Sequence, residues 1–210
     1  MDRRIGLGAG VLALALGASL GTGVAAATSV PVTLSGALSC SIAGGYHFGS
    51  PLTNAGGTQS TVTLKAKLSS CTGPGTTNGT VTVTTGHLVA TSTTTVVNSF
   101  GGVTSGQPLP VLTGTITWRA HGGKVNTSTV SITGQAISYD SGAGLVSLYF
   151  TPVLSGGSYS GQKASTAGTT ATSGIPANLA GIALSAKAAH GVKTISFGKN
   201  GGTFTIGAAA

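Results

Sequence analysis

The sequence predicts an all-β fold, an antiparallel two-sheet β-sandwich of the immunoglobulin-like or jelly-roll-like kind, and three observations lead there. Short runs alternate apolar and polar residues with period two. Glycine pairs punctuate those runs at close intervals. Glycine, threonine and serine dominate a chain in which only 6% of residues are charged. Alternation of this kind gives each strand one buried and one solvated face, and many short strands with frequent turns pack economically as two facing sheets.

Residues 1–27 read as a secretory signal peptide that is removed. Arg3 and Arg4 outweigh Asp2 in a short basic start, Ile5 to Leu20 is apolar and interrupted by glycine, and Thr22 to Ala27 ends in small residues suited to cleavage. The apolar run falls short of the ~20 residues a bilayer-spanning helix needs, so no transmembrane segment is expected in the mature chain. Residues 28–210 then form a single domain, expected to be secreted, extracellular or associated with the cell envelope. In that oxidising setting Cys40 and Cys71 are expected to form a disulfide, closing a loop of about thirty residues and contributing about 3 to 4 kcal/mol.

The strands follow in order. Thr61 to Leu68 alternates without fault, with Val62, Leu64, Ala66 and Leu68 on one face and Thr61, Thr63, Lys65 and Lys67 on the other. Similar alternation runs over Val30 to Leu34, Thr80 to Thr84, Thr115 to Ala120, Thr129 to Thr133 and Thr203 to Ile206. Leu145 to Leu154 is more continuously apolar and is expected to be a central strand buried on both faces. Glycine pairs such as Gly44-Gly45, Gly122-Gly123, Gly156-Gly157 and Gly201-Gly202 are expected to separate strands. Leu109 to Gly114 reads as the entry to a strand. Within 178–190, Leu179, Ile182 and Ala186 have helical spacing after Pro176 and before Gly191; a short helix fits, and so does a strand or irregular crossover.

Charge restricts the chemistry. The full chain carries 10 basic and 2 acidic residues, and removal of Asp2, Arg3 and Arg4 leaves eight basic side chains against Asp140 alone, a net charge of +7. Glycosidase-type acid/base work, two-metal hydrolysis and calcium loops all need carboxylates in company, so none of them is expected. The run Tyr139-Asp140-Ser141-Gly142 between two apolar stretches reads as a hairpin turn rather than a protease nucleophile segment. His47, His87, His121 and His190 show no metal-ligand spacing, and no cofactor set is legible.

Several stretches together are similar to a largely uncharacterised family of small secreted proteins from actinobacteria. They are Cys40-Ser41-Ile42-Ala43-Gly44-Gly45-Tyr46-His47-Phe48-Gly49-Ser50-Pro51-Leu52, the second cysteine thirty-one positions on, Gly114-Thr115-Ile116-Thr117-Trp118, Gly157-Ser158-Tyr159-Ser160-Gly161 and Gly191 to Gly198. Members often carry a second cysteine pair, near positions matching Ser99 and Ala188 or Ala189, which this chain lacks. The resemblance implies export and a β-rich domain, and it brings no activity and no site residues.

Two functional expectations follow from the residues. In the first, the protein is a non-catalytic structural, adhesive or ligand-binding module at the envelope, with Lys65 and Lys67 contacting an anionic envelope polymer or lipid headgroups; as a bland alternative, the same lysines guard a threonine-rich edge strand against pairing. In the second, it is a secreted serine hydrolase with an incomplete Ser/His arrangement drawn from Ser141, Ser158 and His121, which lacks the carboxylate that would orient the base. Nucleic acid is not an expected partner, because the basic residues are dispersed and not interleaved with stacking aromatics. Trp118 is expected in the core, and Arg119, on the opposite face of the same strand, either in solvent or paired with Asp140.

Overall fold

A computed structural model of the chain describes residues 30–53, 58–98, 109–140, 145–167, 175–177 and 191–207. The expected signal peptide and the candidate helix over 178–190 lie outside these residues.

Twelve strands are described: β1 (Leu38–Leu52), β2 (Thr58–Ser60), β3 (Val62–Thr72), β4 (Thr77–Asn78), β5 (Val81–Ser92), β6 (Val96–Asn98), β7 (Leu112–His121), β8 (Ser128–Asp140), β9 (Leu145–Gly156), β10 (Ala164–Ala167), β11 (Ile175–Ala177) and β12 (Val192–Ile206). Ten of them belong to one antiparallel sheet, while β2 and β6 pair separately. Its order is β1-β3-β5-β7-β8-β9-β11-β12-β10, with short β4 paired to β5 off this path, and β1 also pairs with β12. The sheet therefore curls until its first strand meets its last long one, giving a nearly closed barrel. The remaining seam lies between β9 and β12. Short β11 bridges it at one end, and β10, paired to β12 and preceded by Lys163, which makes an isolated bridge to Val153 of β9, fills it at the other.

All-β, antiparallel structure is as expected, but a sandwich of two separate sheets is not confirmed. Alternation along a strand reports one buried and one exposed face, a property shared by facing sheets and by one sheet that curls. Three local expectations are also corrected. Around Phe150 to Ser155, β9 alternates buried and exposed residues and is not buried on both faces. Val30 to Leu34 is not a ladder strand: only Val32 makes an isolated bridge, to Val125, and the segment caps one end of the barrel. Gly44-Gly45 does not separate strands but lies inside β1. A Cβ at Gly44 would overlap the Lys65 carbonyl oxygen and Ala66 Cα, so glycine here permits close approach of β1 and β3.

The barrel interior is filled by the buried faces of its strands, among them Ile42, Leu64, Leu88, Ile116, Ile132 and Phe204. Outward positions on β3, β5, β7 and β8 carry mainly threonine, serine, lysine, histidine and arginine. That is the reverse of a transmembrane barrel, whose outer band is apolar. Among the described residues no helix is long and apolar enough to cross a membrane.

Mid-barrel, Tyr46 packs against Phe150 and Phe197 with ring centroids 6.4 and 6.2 Å away, and those two phenylalanines stand 6.1 Å apart. The Tyr46 hydroxyl is buried without a hydrogen-bond partner. Burial pushes the phenols of Tyr46 and Tyr159 well above their ordinary value. A raised folded-state pKa leaves stability undiminished below the unfolded value of about 10 and removes it as pH rises further, by about 1.4 kcal/mol per pH unit for each such tyrosine. In an alkaline absorbance titration, Tyr46 and Tyr159 should therefore ionise only as the β-sheet signal is lost. Free ionisation of all four tyrosines with the sheet intact would contradict this packing.

Candidate functional site

Lys65 and Lys67 both lie on the outward, exposed face of β3, while Val62, Leu64, Ala66 and Leu68 are buried. Residues two apart on a strand are separated by about 6.6 Å, so the two ammonium groups project side by side. β3 is paired on both sides, to β1 and to β5. It has no free edge, which corrects the edge-guarding alternative for these lysines.

The neighbouring strands add to the charge. Lys67 stands opposite His87 on β5, which is also exposed. Directly opposed residues have Cβ atoms about 4.5 to 5.5 Å apart, and diagonal ones about 7 to 8 Å. His87 in turn faces Thr117 on β7, so exposed Arg119, two residues on, is its diagonal neighbour. Lys65, Lys67, His87 and Arg119 thus form a contiguous group across three adjacent strands. The side chains of Ala43 and His47 share the outward face on β1, with His47 Nδ1 3.3 Å from Thr194 Oγ1.

Between Lys65, Lys67 and His87 on one side and Ala43 and Gly44 on the other is an open depression of about 340 Å³. Its lining comes from β1, β3 and β5, with Val89 of β5 completing it. Gly44 stands opposite buried Ala66, so its missing Cβ lets the two backbones approach. Beyond β1, Ile42 pairs with Gly202 and Gly44 with Phe197, so residues 198–201 of β12 stand against Ala43 alone as an excursion from the ladder. Lys199 is at a register position within that excursion.

No acid balances these charges. Asp140, the one side-chain carboxylate beyond residue 2, ends β8 opposite Leu145 on β9. Arg119 lies towards the other end of the barrel, since β7 meets β8 only over Leu112–Ile116 and Ser128–Ile132, with Arg119 and Asp140 beyond opposite ends of that ladder. The expected choice for Arg119 is therefore resolved towards solvent. The antiparallel pairing of Asp140 with Leu145 also agrees with a hairpin at this point, residues 141–144 themselves lying outside the described set.

The residues drawn into the hydrolase reading fare differently. Ser158 is 0% exposed, its Oγ accepts a hydrogen bond from the Leu34 N–H at 3.1 Å, and its carbonyl accepts one from Ser128 Oγ. Its hydroxyl is part of the barrel's end closure. His121 is exposed at the end of β7, opposite Thr82, and Ser141 and His190 lie outside the described residues. Among the described residues, no group of three or more histidine, cysteine or acidic side chains is gathered to hold a metal ion. Cys40 and Cys71 are joined as a disulfide between β1 and β3.

Lys65 and Lys67 were visible in sequence because they share a parity within one strand. His87 and Arg119 were not, because their place beside the lysines depends on the β3–β5–β7 register, and no local signal specifies register. Searches against protein-family models, curated proteins and solved structures found no match to this chain, so its function must be argued from this geometry.

Proposed function

We propose that the mature chain is an exported, non-catalytic β-barrel that binds an anionic polymer of the cell envelope through the outward face around Lys65 and Lys67. The observation that carries this reading is the grouping of Lys65, Lys67 and His87 on adjacent, fully paired strands with no carboxylate near them. Paired strands fix the backbone from which the cations project, so binding orders side chains alone, and a net charge of +7 draws anionic surfaces towards the whole molecule. A polymer fits better than lipid headgroups. Stable seating on a bilayer needs several apolar side chains beside the basic ones; of the large exposed apolar side chains among the described residues, Val89 alone adjoins the lysines, opposite Lys65, while Val30, Val111 and Val153 lie elsewhere. The buried, hydrogen-bonded state of Ser158 gives the hydrolase alternative no support from that residue.

The test is retention of the purified mature protein on isolated envelope material at low and at high salt. Wild type should be retained at low salt and released at high salt, as screened surface charges require. The variant Lys65→Ala/Lys67→Ala should bind roughly tenfold more weakly at low salt with an unchanged thermal melt, since both side chains are exposed. Equal retention of variant and wild type would contradict the assignment of the site.

A further inference from the structure

We propose that this surface is a track, along which one linear polyanion lies obliquely across β3, β5 and β7 and engages several cations at once. The proposal rests on the reading that the Lys65–Lys67 face binds an anionic polymer, and it specifies the form of that polymer. The ligand is an unbranched chain with closely spaced charges, long enough to reach from β3 to the turn after β7.

The cations succeed one another in steps a chain can follow. Lys65 and Lys67 are neighbours along β3, His87 is opposite Lys67, and Arg119 is diagonal to His87. Two strand spacings of about 4.8 Å and two residues along β7 place Lys67 roughly 12 Å from Arg119 at the backbone. With both side chains extended straight out from the wall, their charges stay about that far apart, more than a single phosphate spans. The outward residues beside this path on β5 and β7 are Thr85, Val89, Thr115 and Thr117; Val89 stands opposite Lys65, and the threonine hydroxyls can donate to anionic oxygens without adding negative charge.

A second depression continues the path. It holds about 460 Å³ and is lined by Pro31, Trp118, Arg119, Ala120, Lys124 and Val125, among others. Arg119 therefore belongs to both the group around His87 and this far end. The backbone carrying Lys124 is fixed rather than free: its carbonyl accepts the Val32 N–H at 2.8 Å, and Asn126 N–H returns to the Val32 carbonyl at 2.9 Å. Val32 and Val125 form a parallel bridge at the same place. The capping segment at residues 31–37 thereby fixes the backbone from which the last cation of the track projects. Asp140, near the opposite end of the β8–β9 ladder, leaves the track without a competing carboxylate.

The proposal is tested with inorganic polyphosphate, from tripolyphosphate to chains of tens of units, titrated into the mature protein by calorimetry over a range of salt. Two double variants remove opposite ends: Lys65→Ala/Lys67→Ala and Arg119→Ala/Lys124→Ala. All four side chains are exposed, and unchanged melts confirm that each variant is folded. Wild type should bind long chains at least tenfold more tightly than tripolyphosphate, counted per binding frame. Each variant should flatten the dependence of log affinity on log salt by roughly one to two, as expected when that many anion contacts are lost. The Arg119/Lys124 variant should lose most of the preference for long chains. If that variant keeps the wild-type affinity, salt slope and length preference while the Lys65/Lys67 variant is weakened, the track is overturned and the simpler patch stands. If no polyphosphate binds at low salt, both the track and the polymer-binding reading fall.

Discussion

Replacing Trp118 with alanine is expected to lower the free energy of unfolding by about 3 to 5 kcal/mol, the range for emptying a large aromatic site in a core. Trp118 is 5% exposed and fills one end of the barrel, over Gly86 on β5. A Cβ at Gly86 would come within 2.8 Å of the indole ring, so the glycine makes the space the ring occupies. The indole packs against Tyr159 at 5.2 Å and donates from Nε1 to Ser128 Oγ at 2.8 Å. From there the bonds continue: Ser128 Oγ donates to the Ser158 carbonyl, Leu34 N–H to Ser158 Oγ, Tyr159 N–H to the Leu34 carbonyl and the Tyr159 hydroxyl to the Gly75 carbonyl. Tyr159 is held at φ 61°, a left-handed conformation that a bulky residue adopts only when its surroundings fix it. The ring, the serine chain and the capping segment form one closure. Urea unfolding followed by circular dichroism measures the loss, and Trp118→Phe, which keeps much of the volume but leaves Ser128 without its donor, should cost about 1 to 3 kcal/mol. A change below about 1 kcal/mol for Trp118→Ala would show that this closure does not stabilise the barrel.

Removing the disulfide is the second large effect. Cys40 is buried and Cys71 packs against the core from its edge, with Cα atoms 4.1 Å apart. The bond spans a sequence separation of 31, for which the loop-entropy estimate is about 3 to 4 kcal/mol. It also joins β1 and β3 where their ladder is irregular, between the Ser39–Thr72 and Ser41–Ser69 pairs, with Ser70 at φ 51°. Covalent linkage there replaces ladder bonds that the irregularity forgoes. The variant Cys40→Ala/Cys71→Ala should unfold at correspondingly lower urea, and reductant should lower the stability of wild type but leave the variant unchanged. Identical unfolding curves for oxidised wild type and variant would contradict the estimate.

How much of this was legible in sequence depends on the range of the interaction. The faultless alternation over Thr61 to Leu68 identified β3 and its exposed lysines, because burial of one face is a local property of a strand. Trp118 and Arg119 were placed on opposite faces by the same parity, and both fall where it put them. Closure of the sheet was not legible, since β1 meets β12 through partners about 150 positions apart and nothing near Cys40 or Phe204 records the meeting. Gly44-Gly45 and Gly201-Gly202 resembled turns because glycine serves both to reverse a chain and to let two backbones approach. Val30 to Leu34 alternated like a strand, yet its hydrogen bonds go to Lys124, Asn126, Ser158 and Tyr159 around the barrel end. The candidate surface shows the same division. Its lysines could be read from one strand, whereas His87 and Arg119 required the register of three.

The proposed binding surface is the wall around Lys65, Lys67 and His87. Amide chemical-shift mapping of residues 28–210 during titration with a soluble polyanion is its sharpest test. Salt-sensitive shifts are expected on Ala43, Gly44, the Lys65–Lys67 segment and His87, and they should disappear in Lys65→Ala/Lys67→Ala. Shifts of equal size on the β8–β9 hairpin around Asp140, or shifts that persist unchanged in the variant, would contradict it.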